Sequence, residues 1–492
     1  MQWDSIRTTR KSIGSRRRDA AARRTGSGDN GIVGVQQRSA CTGSGGDGEG
    51  KRRETGNVET LNAPGIHRWR ALETGARRYL LHLAILTLSL SVVVLYYNLA
   101  VVALGYSRGF LGILQTVTQG VAALLSLPLW LSVQRLGLRR ALAASVVLYA
   151  VGLLLFAALP QAASLIVSAA FMGMAAVLAQ VTAAPLMMRL SNDATRDYLF
   201  SASAAIAIGL NGIGNLGAGF LADVVAYLLN VPTDSGVTYR AVFAIAGIGA
   251  LASLPPLLLI REPVRPLASP SSESVAAPTE MEALPNSAPP WLARARPWLR
   301  RLLTPLQALM REPTLVVKLL LPPFLISWGA ALLIPYLNLY FRERFGLDNR
   351  ALGALFAGFD VATGLAALTG PALAARLGKI RTVVVTRAVG IPLLLLLGAA
   401  SDLWLAIIAA LARVVAFNMA APLYDAYAME QTEERARPFM IGLLGAAYSA
   451  GFLIAPLIST FVQERYGFRP LFVATAALYA LSVLATWRFF DR

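Results

Sequence analysis

The chain has 492 residues, of which 56% are hydrophobic and only 15% charged, with a formal net charge of +18 at pH 7. Its apolar residues come in runs of eighteen or more, too long for a soluble domain to bury and too uniformly apolar for barrel strands, so an all-α membrane protein is expected. A single cysteine, Cys41, excludes a disulfide framework and a Cys-based metal site, and the two histidines, His67 and His82, show no metal-ligand or nucleophile-base spacing, so neither a metal nor a cofactor is expected.

Residues 1–78 are dominated by Arg, Gly, Ser and Thr, as in Arg16-Arg17-Arg18 and Thr42-Gly43-Ser44-Gly45-Gly46, and offer too little apolar surface to offset the entropy of ordering. They read as a disordered cytoplasmic extension. The apolar core of a signal peptide is missing, and Asp19, Asp29 and Asp47 weigh against a transit peptide. A start assigned too early in an Arg-rich coding background is the alternative.

From there the chain alternates between apolar spans and short polar joints. A hydrocarbon core about 30 Å thick takes roughly 20 helical residues per crossing. Marking off such stretches predicts twelve spans, near 79–103, 110–132, 141–159, 164–188, 199–223, 240–260, 314–341, 350–372, 382–400, 404–428, 439–462 and 470–489. They group as a first bundle over 79–260 and a second over 314–492, with a cytoplasmic linker over 261–313 between them. Residues 262–290 are rich in Pro, Ser, Ala and Glu, after which 291–303 mixes Trp and Leu with Arg. That piece reads either as a helix lying on the membrane surface or as an ordinary basic loop. Pro322-Pro323 predicts a kink or broken turn in the seventh span.

The net positive charge follows topology rather than nucleic acid, which is not expected as a partner. If the N-terminus is cytoplasmic, Arg135, Arg139, Arg140, Arg189, Arg196, the Arg-rich linker, Arg376, Lys379, Arg381, Arg435 and Arg437 all lie inside. Cations on the opposite side sit beside acids, as in Arg342-Glu343-Arg344. Both termini are therefore expected on the cytoplasmic face of the inner or plasma membrane, with lipid as a partner.

An internal repeat organises the chain. Gly112 and Gly353 are separated by 241 positions, as are Arg135-Leu136-Gly137 and Arg376-Leu377-Gly378, and Arg196 and Arg437. Tyr96-Tyr97-Asn98-Leu99 matches Tyr336-Leu337-Asn338-Leu339 at an offset of 240. Six helices, a linker and six helices in the same orientation imply a pseudo-two-fold axis along the membrane normal with a cavity between the halves.

With this repeat on the page, residues 79–490 resemble the major facilitator superfamily. That family carries a Gly-x-x-x-Asp-Arg-x-Gly-Arg-Arg loop between helices two and three; here Arg135, Gly137 and Arg139 match, followed by Arg140, and the second copy keeps Arg376, Gly378 and Lys379. Trp130, Gln134, Leu138 and Ala375 depart from the pattern. The missing acid implies that the cytoplasmic latch built on it in the family is absent here.

Polar residues inside spans are where chemistry is expected, because each is costly unless it has a partner or faces a wet cavity. Asp360 and Arg413 each lie about ten residues into a span from the outer side, near the midplane at about 1.5 Å per residue. They could form an ion pair, either static or one whose rearrangement loads and releases a proton. The resemblance implies a proton-coupling role for such an Arg, although the first-half counterpart of Arg413 is Met172. Asn418, Tyr424 and Asp425 follow on the same helix, with Asp425 near enough to the end to be hydrated.

The first half offers Gln115, Gln119, Gln180, Asn211 and Asn215, either as interhelical hydrogen bonds or as substrate contacts. Gln119 is the repeat counterpart of Asp360. Tyr97, Asn98, Trp328, Tyr336, Asn338 and Tyr448 complete the candidate cavity, while Tyr340 reads as part of an interfacial belt. The glycine series Gly209, Gly212, Gly214, Gly217 and Gly219 predicts close helix packing.

The function expected from these features is secondary active transport of a small organic molecule by alternating access, proton-coupled, by a monomer. Export of drug-like amphipathic compounds is favoured over uptake of sugars or organic acids by the neutral, aromatic first half. A transporter-fold sensor that binds without moving its ligand is the alternative from another class, and a lipid-directed membrane enzyme is a third. No Gly-x-x-x-x-Gly-Lys loop supports a nucleotide-driven pump.

Overall fold

A computed structural model describes Trp69 and residues 72–192, 195–260, 312–433 and 436–491. The helical body lies in one compact unit, Thr60–Arg492, and the other unit, Met1–Glu59, is outside the described residues. The linker call, including the stretch 291–303, and nearly all of the tail call also lie outside them.

Among the described residues twelve helices are long and apolar enough to cross a bilayer. They are α1 (Thr74–Ala103), α2 (Arg108–Leu136), α3 (Leu138–Ala158), α4 (Ala162–Arg189), α5 (Arg196–Leu229), α6 (Gly236–Leu258), α7 (Pro313–Phe345), α8 (Asn349–Leu377), α9 (Lys379–Ala399), α10 (Leu403–Glu430), α11 (Arg437–Tyr466) and α12 (Arg469–Phe490). α1 begins within the stretch read as tail, and its Arg78 donates to the Leu259 carbonyl at 2.5 Å. An even number of crossings brings Thr74 and Phe490 to one end of the molecule, the terminal end; the other is the distal end.

The repeat is written into the element boundaries. α2 and α8 start at Arg108 and Asn349 and stop at Leu136 and Leu377, an offset of 241 at both ends. Their starts are capped alike, with Ser107 Oγ accepting from the Phe110 amide at 3.2 Å and Asp348 Oδ1 from the Ala351 amide at 2.8 Å, which satisfies amides the helix itself leaves free. Their stops are also alike: Gly137 and Gly378 take φ of 83° and 86°, a left-handed turn that a side chain would strain.

Packing follows the same symmetry. α1 packs on α5 and α6, α2 on α4, and α3 on α4 and α6, and each pairing recurs six helices later. Between the bundles, α5 packs on α8 and α2 on α11, a pair of contacts that exchange under the same operation.

The seventh span departs from expectation. Its helix runs through Pro322 and Pro323, and the interruption falls instead at a tight 3-10 turn, Ile334–Tyr336, that contains Pro335. The Pro322 carbonyl accepts from Ser482 Oγ at 2.9 Å, so α12 supplies that carbonyl with a donor. Tyr340, just past the break, is not in an interfacial belt. It is buried, donates to the Leu397 carbonyl at 2.8 Å and is ringed edge-on by Phe341, Phe345, Phe468 and Phe472, an enclosure with more apolar contact than an interface provides.

The core shows how the halves meet. One apolar cluster, including Tyr96, Phe156, Phe243, Tyr336, Phe341 and Tyr479, joins both bundles in the distal half. Toward the terminal end two separate clusters take over, one around Leu80, Leu142 and Leu257 in the first bundle and one around Leu319, Met440 and Leu444 in the second. The bundles are fused distally and parted at the terminal end.

Candidate functional site

Distal closure is a layered polar seal. Asn98 Nδ2 donates to Asn338 Oδ1 at 2.9 Å and to the Pro335 carbonyl at 2.5 Å, while Asn338 Nδ2 donates to the Leu95 carbonyl at 2.9 Å. Repeat counterparts thus clasp each other where the pseudo-two-fold axis requires. Toward solvent, Arg108 pairs with Glu343 at 2.6 Å and donates to the Gln463 carbonyl, Arg342 donates to the Tyr239 hydroxyl and Asn349, and Arg350 pairs with Asp223. All of these contacts cross from one bundle to the other except that from Arg342 to Asn349, which lies within the second.

At mid-depth the α5–α8 crossing carries a second clasp. Asp360 accepts from Asn211 Nδ2 at 3.0 and 3.1 Å and from Asn215 Nδ2 at 2.8 Å. The expected ion pair with Arg413 does not form; Arg413 turns toward α12, where its Nη2 donates to the Tyr479 hydroxyl at 3.1 Å. The reason lies in the crossing itself, since the close approach of α5 brings two amide groups to Asp360 from the other bundle.

That approach depends on small residues. A β-carbon on Gly353 would stand 2.5 Å from the Asn215 carbonyl oxygen, a backbone atom that cannot move alone. Gly219 is likewise tight against α8 and Gly214 against Ser91 of α1, Gly212 makes ordinary contact with Asp360, and Gly209 and Gly217 face open space, so only part of the glycine series serves packing. Gly353→Ala is expected to weaken distal closure about tenfold or more, consistent with overpacking costs of about 1–3 kcal/mol. Faster thiol labelling of an Asn98→Cys reporter in a Cys41→Ser background would read this out, and unchanged labelling would contradict it.

Below the seal lies a cavity of about 860 Å³, bounded by Asp360 and Tyr479 at mid-depth and by Met429 and Ile441 close to the terminal ends of α10 and α11. Its lining is lopsided. Gln180 is the first bundle's contribution, and the rest comes from the second, including Arg387, Arg413, Asn418, Tyr424, Asp425 and Tyr448. Asn418 donates to Thr363 Oγ1 at 2.7 Å, Tyr424 is buried and donates to the Leu319 carbonyl, and Asp425 and Tyr448 are exposed to the cavity.

Several residues proposed from sequence as cavity contacts belong elsewhere. Asn98 and Asn338 form the seal; Gln115 donates to Asn98 at 3.5 Å. Tyr97 is buried against Phe156 and Phe243, and Tyr336 is fully buried beneath the seal. Gln119 and Trp328 are half-buried and are not among the lining residues. Asn211 and Asn215 serve the clasp. All were legible as polar or aromatic groups inside spans; which end of the molecule was shut was not.

The loop residues stay within their own bundles. Arg139 donates to the Ile260 carbonyl at 2.6 Å, Lys379 pairs with Glu430, and Arg135, Arg140 and Arg376 are exposed. Sequence reading also missed Arg387, a cation eight residues into α9, although a charge inside a span was a sufficient signal for it.

A family model described as the Major Facilitator Superfamily matches residues 80–392 and 319–492. The multidrug resistance protein MdtG of Proteus mirabilis (strain HI4320) is 30% identical over 170 residues, 33% of this chain and 41% of that protein. The chain thus spans about two fifths of the length of the curated relatives it matches. A bacterial homologue of the human lysosomal transporter Spinster, solved inward-facing and unoccupied, is similar in fold with a TM-score of 0.61 at 14% identity, covering 87% of this chain and 96% of that one. A D-xylose-proton symporter gives 0.63 at 14% identity, over 84% and 97% of the two chains. Since the family match runs through both six-helix repeats, the chain belongs to the Major Facilitator Superfamily.

Proposed function

We propose that the chain is a proton-coupled exporter of an amphipathic small organic molecule, working as a monomer in the cell membrane with the terminal end in the cytoplasm. The orientation is supported by Arg135, Arg139, Arg140, Arg189, Arg196, Arg376, Lys379, Arg381 and Arg437, all at the terminal end, against the distal Arg108 and Arg350, which pair with acids in the seal. In this orientation the conformation described is shut toward the outside and parted toward the cytoplasm.

The observation that carries the reading is the Asp360 clasp. It is a titratable group that borders the cavity and at the same time ties α8 to α5 across the bundle boundary. An ionised carboxylate accepts from both amides, while a protonated one surrenders part of its acceptor capacity and carries a donor that faces two other donors. Proton uptake therefore loosens the crossing about which the bundles rock, and proton release tightens it. A ligand in the cavity and a proton on Asp360 bias one shared two-state element, which is what coupling requires.

Export is supported by the apolar and aromatic wall of the cavity and by the partial match to a protein named for multidrug resistance. Reconstituted proteoliposomes with an imposed pH gradient, offered drugs, sugars and organic acids in turn, test this. Gradient-driven accumulation of an amphipathic compound in inside-out vesicles is expected. Accumulation of a sugar in right-side-out vesicles would make the protein an uptake permease, and binding without movement would make it a sensor.

A further inference from the structure

Two guanidiniums in the cavity wall have no assigned task. Arg387 on α9 and Arg413 on α10 are 5% and 7% exposed, yet both border the cavity. Among the described residues neither has a carboxylate within ion-pair distance. Arg387 Nη1 and Arg413 Nε reach no hydrogen-bond partner. Each cation is steadied by rings instead: Arg387 lies 5.2 Å from the centroid of Tyr424, and Arg413 lies 4.9 Å from Phe417 and 5.9 Å from Tyr479.

A buried arginine keeps its charge, and a buried charge with free donors is an arrangement that folding alone does not favour. The acids nearby do not resolve it. Asp360 is engaged by Asn211 and Asn215, and Asp425 lines the cavity exposed, without an ion pair to either arginine. An acceptor arriving from the cavity, which both side chains border, would resolve it. Planar guanidiniums with free N–H groups suit an oxyanion such as a carboxylate, phosphonate or phosphate, and Phe417, Phe452 and Tyr448 offer an apolar surface beside it.

We infer that Arg387 and Arg413 form a headgroup site for an amphipathic organic anion whose apolar body packs on the aromatic wall of the second bundle. The site deepens the proposed function and rests on it for its role in transport, but binding is measurable on its own. Asp425, exposed on the cavity wall, serves as a loose counter-charge that an incoming anion displaces.

The test uses the full chain in nanodiscs at neutral pH and follows naphthyl fluorescence. 2-Naphthoate and 2-naphthylphosphonate are compared with 2-naphthalenemethanol, a neutral body of similar size. At least one anion is expected to bind ten-fold or more tightly than the alcohol, and the stronger of the two identifies the headgroup. Arg387→Gln and Arg413→Gln are each expected to weaken anion binding about 10- to 100-fold, the usual worth of a charge-assisted hydrogen bond, with alcohol binding unchanged. Arg387→Lys and Arg413→Lys are expected to restore part of it. Equal binding of alcohol and anions, or no anion binding, overturns the site, and so do Gln variants with wild-type melting and wild-type anion affinity. Should a Gln variant fail to fold, the wild-type comparison and the Lys variants decide. Anion binding without flux would sink the transport reading and leave the site standing; flux of a neutral compound without anion binding would do the reverse.

Discussion

Asp360→Asn is expected to abolish the response of transport to a proton gradient while preserving exchange of substrate for substrate. The substitution keeps the shape of the side chain but fixes it in a neutral form, with one carbonyl acceptor where the carboxylate offered two oxygens to Asn211 and Asn215. Hydrogen bonds to a charged acceptor contribute about 1.5–3 kcal/mol, so losing the charge shifts the distal-closed population by about tenfold or more. Exchange needs only that the bundles rock with ligand bound. Net accumulation needs a proton to be carried on the return, and Asn has nothing to titrate. Gradient-driven flux of the variant is therefore expected to fall to the passive level, measured against counterflow in the same vesicles. Intact gradient dependence would remove Asp360 from the coupling.

Tethering the distal seal is expected to stop transport altogether. Asn98 and Asn338 face each other across the pseudo-two-fold axis within hydrogen-bond distance, 2.9 Å. With Cys41, the single native cysteine, replaced by Ser, Asn98→Cys and Asn338→Cys provide a pair that a short bifunctional thiosulfonate can bridge. The bridge holds the molecule distally closed, the state described here, so a ligand can enter the cavity and never leave on the far side. Flux is expected to drop at least tenfold on cross-linking and to return with reductant, with binding from the terminal side retained. Undiminished flux in the cross-linked protein would mean that the distal seal is no gate.

Much of this architecture is legible in the residues because it is repetitive and bilayer-driven. The period of apolar runs gives the crossings, and the Arg-Leu-Gly copies give the offset that α2, α3 and α8, α9 obey at their boundaries. The turn glycines were readable for the same reason, since a positive φ leaves few other residues. What sequence spacing does not carry is partner choice. Asp360 is legible as an acid near the middle of a span, but whether it meets Arg413 or the amides of α5 depends on how closely two helices from different bundles approach, and Gly353 with Gly219 sets that distance. Nor does spacing carry conformational state: Asn98, Asn338 and Tyr336 read as cavity residues because their depth was apparent while the closure above them was not. Arg387 was visible as a cation inside a span; its significance comes from burial with free donors, a property of packing.

Counting protons against substrate tests the central claim most directly. Proteoliposomes carrying an internal pH dye and a transported compound from the panel report both fluxes at once. About one proton moving opposite to each substrate is expected for a single titrating carboxylate at the bundle crossing, with the proton signal lost in Asp360→Asn. Substrate movement with no accompanying proton flux in the wild-type protein would contradict it.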